Sequence, residues 1–185
     1  MTKELTMTWK TFHSRGEILR TVIATANTRR DGILPTDVEG VSETFADDLE
    51  LLGTLQLKWH TRLAGQIERQ LLEQPLDLPL AVATAWGDTC DELPGVRLVL
   101  DHYRAEPVDD AMAQAMGKAT VKEHALLAVM AGQGSVGDAA AEAEAAPIGA
   151  LIEERARALH HGIPTLVVES SRPSLLERLR SVLAA

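Results

Sequence analysis

The chain has 185 residues, 45% of them hydrophobic and 3% aromatic, and a formal net charge of −9. That apolar content is enough for one self-sufficient core, while the acidic balance argues against a nucleic-acid backbone or an anionic membrane surface as partner. A single cysteine, Cys90, excludes an intramolecular disulfide and a cysteine metal cage.

Alanine and leucine supply the apolar content, which favours helix over strand. The opening MTKELTMTWK lacks the apolar run of a signal peptide. No stretch reaches the roughly 20 apolar residues of a membrane span, so a cytoplasmic protein is expected. The excess of Arg over Lys and the abundance of Ala fit a high-GC bacterial genome.

Ser14-Arg15-Gly16-Glu17 reads as a capping box opening the first helix, with Leu19, Val22, Ile23 and Ala26 on one face and Asp31-Gly32 at its end. The second and longest helix is expected from about Ser42 to Gln74, with Glu43, Asp47 and Asp48 near its positive end. Phe45, Leu49, Leu52, Leu55, Trp59, Leu63, Ile67 and Leu71 form its apolar stripe. Pro75 stops it, and Asp77 caps a shorter helix whose Val82, Trp86, Cys90 and Leu93 share a side. After Pro94-Gly95, Val96, Val99, Leu100 and Tyr103 mark another short helix. Pro107 is expected to start the next, with an inner stripe of Val108, Met112, Met116, Ala119, Leu126, Leu127 and Met130.

Residues 132–149 are rich in Gly and Ala and read as a linker or weak helix cut by Pro147. Leu151, Ile152, Arg155 and Leu159 give a short amphipathic helix. Thr165–Val168 is the one run that looks extended, and Ser174–Glu177 is a second capping box opening a final helix. The expected fold is all-α: an antiparallel bundle of about five to seven helices around one long central helix, with a C-terminal helical appendage. Residues 1–131 form the core in this reading, and 150–185 pack on the bundle or on another subunit.

Function is sought where a polar group sits on an apolar face. At about 100° per residue, Gln56 lies in the stripe of the long helix with His60 four positions on, and Glu123 lies among Met116, Ala119, Leu126 and Leu127. If those helices face each other, Gln56, His60 and Glu123 form a buried polar site, with His60 as acid/base candidate and Glu123 as its orienting partner. The same residues also suit a satisfied core triad fixing helix register, or a helix rotated so that Glu123 meets solvent. Arg15, Arg62 and Arg155 are available to neutralise Glu123. Trp59, Trp86 and Tyr103 are candidate pocket-lining residues, although their spacing also suits core.

A di-iron centre of the ferritin type requires Glu-x-x-His, and no histidine has Glu three positions before it. His13/Glu17 and His102/Glu106 have ligand-compatible spacing but suit exposed faces, and His160-His161 suits a helix end. Gly132-Gln133-Gly134 lacks the Lys-Ser/Thr of a phosphate loop, and no Gly-x-Ser-x-Gly elbow is present. No metal site and no cofactor class is implied. The expectation is a non-enzymatic helical protein acting through self-association or a protein partner. The alternative is a small-ligand- or metal-binding bundle, in which an enzyme is conceivable, built on Glu123, His60 and Gln56.

Overall fold

The computed structural model describes the backbone of residues 2–161 and the side chains of residues 15–161. The extended run at 165–168 and the helix expected from Ser174 lie outside the described residues. Those described are all-α, with seven helices and no strand. In chain order they are α1 (Thr2–Arg29), α2 (Val41–Thr44), α3 (Asp48–Glu73), α4 (Leu78–Glu92), α5 (Pro94–Ala105), α6 (Asp110–Met130) and α7 (Ala139–His160). None of them is long and apolar enough to cross a membrane.

Four helices start on an aspartate whose carboxylate accepts from a first-turn amide, filling a donor the helix leaves unpaired. Asp47 accepts from Glu50 N, Asp77 from Leu80 N, Asp109 from Met112 N, and Asp138 from Ala140 N and Ala141 N. The cap expected at Asp77 is therefore present. Three other expected boundaries differ. α1 runs unbroken through Ser14, because no Gly or Pro between residues 2 and 15 interrupts the backbone ladder. A local capping preference of about 1 kcal/mol does not outweigh several helical hydrogen bonds. At 28 residues α1, not α3, is the longest helix.

The second difference is at Ser42. The chain makes one turn, α2, then extends at Phe45 before α3 restarts after Asp47. Phe45 is buried there with the Arg15 guanidinium 4.5 Å above its ring, and Arg15 also donates to the Thr44 carbonyl at 3.0 Å. The third is at Pro107: α6 opens at Asp110, so Val108 precedes the helix and is exposed instead of joining the inner stripe.

α3 and α4 form one antiparallel hairpin. Arg62 pairs with Glu92, the last residue of α4, and Arg69 and Gln70 pair with Asp88 one turn earlier in α4. α6 and α7 form the other, held where Gly149 crosses His124: a Cβ at Gly149 would overlap the His124 backbone. α7 packs along α4, with Arg157 over the Trp86 ring, and closes the bundle on that side. α5 lies against α1 through Gly95, whose amide donates to Asn27 Oδ1 at 2.9 Å and whose missing side chain leaves room for the Ala26 carbonyl.

The core is drawn from every long helix: Val22 and Ala26, then Leu52, Leu55, Trp59, Leu63 and Ile67, then Val82 and Trp86, Val96 and Leu100, Met112 and Leu127, and Ile152 and Ala156. Residues 139–160 form a single helix that Pro147 does not cut. Pro147 lies on the exposed side, as does Ala143, whose carbonyl loses its amide partner to the proline.

Candidate functional site

Glu123 is fully buried, at 0% exposure, on the inner face of α6. Gln56 of α3 reaches it, donating from Nε2 to Glu123 Oε2 at 3.3 Å. His60 makes no hydrogen bond to that carboxylate; it is half-buried beside Lys122 and Leu126 at the edge between α3 and α6. Arg15 pairs with Glu50 and Arg62 with Glu92. The cations that meet Glu123 come instead from α5: Arg97 Nη1 at 3.0 Å and Arg104 Nη2 at 3.5 Å.

These contacts belong to a larger network. Arg97, only 4% exposed, also donates to Asp101 at 2.6 Å. Arg104 donates to both oxygens of Glu153 at 3.2 Å, His124 Nε2 lies 2.7 Å from Glu153, and Arg157 bridges Glu153 and Asp101 at 2.6 and 2.7 Å. Three guanidiniums thus face three carboxylates across α5, α6 and α7. Burial pushes Glu153 upward, but the His124 hydrogen bond and the charges of Arg104 and Arg97 outweigh it and hold this carboxyl well below the usual range. Asp101 behaves alike: burial raises it, and Arg157 and Arg97 bring it below its ordinary value. Burial lowers Arg157, and its bonds to Asp101 and Glu153 more than reverse that.

Trp59 and Trp86 are core residues on the apolar flank of this network. Their rings meet edge to face at 5.9 Å, and the Arg97 and Arg157 guanidiniums stack on them at 4.8 Å each. Tyr103 is half-buried with His102 at 4.9 Å. No group of three His, Cys, Asp or Glu side chains among the described residues is arranged to hold a metal ion.

The arrangement therefore has two layers. Inside, charges compensate one another and lock α5, α6 and α7 together. Outside, α3 and α6 run side by side in the same direction and touch less closely than either hairpin's own helices do, leaving a seam. Its upper part, about 330 Å³, is lined by Leu49, Leu52, Gly53, Gln56, Met116 and Ala119. Its lower part, about 290 Å³, is lined by His60, Leu126, Val129 and the loop Ser135–Gly137, with Glu142 the acidic side chain on that wall. Lys122 borders both parts and Lys118 the upper one.

The chain matches no protein-family model, no curated protein and no solved structure.

Sequence reasoning found Gln56 and Glu123 but missed Arg97, Asp101, Arg104, Glu153 and Arg157. A signal existed: Arg97-x3-Asp101-x2-Arg104 and Glu153-x3-Arg157 place charges at helical spacing on one face of α5 and of α7. In isolation that pattern reads as a solvated face. The packing of α7 over α5 and α6 turns it inward.

Proposed function

We propose that the protein is a non-enzymatic helical binding module whose working surface is the seam between α3 and α6, which receives a helix with an apolar face and acidic flanks. One observation carries the reading: an apolar trough of leucine, methionine and alanine, bordered by Lys118 and Lys122 on a chain of net charge −9. Neither lysine is paired with a described carboxylate, whereas most arginines of α3–α7 are. Gly53, Ala115 and Ala119 on its walls allow a visiting backbone to come close.

The small-ligand or enzyme reading at Gln56, His60 and Glu123 has less support. Glu123 already faces two guanidiniums and an amide, and His60 does not reach it. A labelled model helix with a leucine and alanine face and glutamate flanks tests the seam by fluorescence anisotropy. The wild-type protein is expected to bind it, and Gly53→Trp, which fills the trough where an added Cβ meets nothing within 4 Å, is expected to weaken binding at least about tenfold. Lys118→Glu/Lys122→Glu is expected to do the same. Unchanged affinity in these folded variants, or no binding by the wild type, overturns the reading.

A further inference from the structure

The seam has a complement on the same molecule. α7 turns Ala140, Ala143, Glu144, Pro147, Leu151 and Glu154 to solvent, and Leu151 is 66% exposed. At about 100° per residue, Ala140, Pro147 and Leu151 lie within roughly 40° of one another, and Glu144 and Glu154 flank them at about 40° on either side. This is a small apolar stripe with an acid on each edge. The α3/α6 seam is a narrow apolar trough with Lys118 and Lys122 on its border. The two surfaces are both apolar at the centre and opposite in the sign of their bordering charges.

We propose, resting on the seam reading above, that the occupant is a second copy of this chain. The outward stripe of α7 enters the α3/α6 seam of the partner protomer, and the partner's stripe enters this one, about a two-fold axis. The lower seam wall includes Ser135, Val136 and Gly137, the segment that leads into α7, and Glu142 on the opposite side of α7 from the stripe. The proposed two-fold axis runs near that loop, so that seam and stripe exchange partners as in an isologous interface. It also covers Val136, whose side chain is otherwise 88% exposed.

Sedimentation velocity on the full chain, from about 1 to 500 μM, tests this against charge-swapped variants. The wild type is expected to be a dimer. Lys118→Glu/Lys122→Glu and, separately, Glu144→Lys/Glu154→Lys are each expected to be monomeric, with unchanged far-UV circular dichroism because all four side chains are exposed. Mixed one to one, the two variants are expected to restore a dimer, because each seam then meets an α7 stripe of opposite charge. A monomeric wild type, variants that still dimerise, or a mixture that stays monomeric overturns the proposal. A monomeric wild type that nevertheless binds the acidic model helix through Lys118 and Lys122 removes the second copy as occupant and leaves the seam reading standing; loss of both removes both.

Discussion

At the scale of single residues, Glu123 tests how the interior is held. Removing its carboxylate leaves Arg97 with Asp101 and Arg104 with Glu153, so that three guanidiniums face two carboxylates around a buried position. Glu123→Ala is therefore expected to lose about 3–5 kcal/mol, read from urea midpoints, because an uncompensated buried charge costs far more than a buried pair contributes. Glu123→Met combined with Arg97→Met is expected to recover part of that loss, since two apolar side chains of similar volume carry no desolvation penalty. If the double variant is as unstable as the single one, the network acts through its wider geometry and not through this pair. Cys90 gives a second, independent probe. Burial pushes its thiol up to about 12, so at pH 8 it is expected to resist a thiol reagent in the folded protein and to react at once in denaturant. Glu123 was legible in the sequence because one acid among apolar neighbours stands out. Its partners were not, because Arg97 and Arg104 sit with Asp101 in a charged stripe that looks solvated until α7 covers it.

Helices rank differently from their sequence signals for a reason visible in α7. Gly and Pro were expected to weaken this segment, yet they occupy opposite sides of one helix: Gly149 lies inward against the His124 backbone, and Pro147 lies outward. Each is tolerated because of where it faces, and periodicity alone did not show that. Gly149→Ala is expected to cost about 2–3 kcal/mol by forcing α6 and α7 apart, since the added methyl meets backbone that cannot rotate away. Gly53→Ala makes the opposite case. Nothing lies within 4 Å of an added Cβ there, so the gain in helix propensity, about 0.5–1 kcal/mol, is expected to appear as added stability in thermal melts. The aspartate caps follow the same logic of local chemistry against surroundings. Asp77 was legible because Pro75 isolates it, whereas the cap at Asp47 was hidden behind Glu43 and Ser42, and burial of Phe45 decided which start the chain takes.

For the whole molecule, the ionic network ties stability to pH in one direction. Asp101 and Glu153 are both held below their ordinary values in the folded state. Where a folded pKa is depressed, the unfolded chain takes up protons first as pH falls, so stability is complete above the unfolded value of about 4 and drains away below it. The network binds α5, α6 and α7 into one body, so its loss at low pH is expected to loosen the α6/α7 hairpin and α5 together instead of fraying one end. Urea unfolding between pH 7 and pH 3 is expected to show the midpoint holding down to about pH 5 and then falling steeply. Glu153→Gln is expected to lower the midpoint at pH 7, because Arg104 and Arg157 lose their shared carboxylate, and to flatten the fall below pH 5, because the group that would have gained the proton is gone. A variant that keeps the wild-type slope while losing stability would place the acid sensitivity elsewhere, with Glu92 beside Arg62 and Glu50 beside the Ala46 amide and Arg15 as the remaining depressed carboxyls that join separate helices.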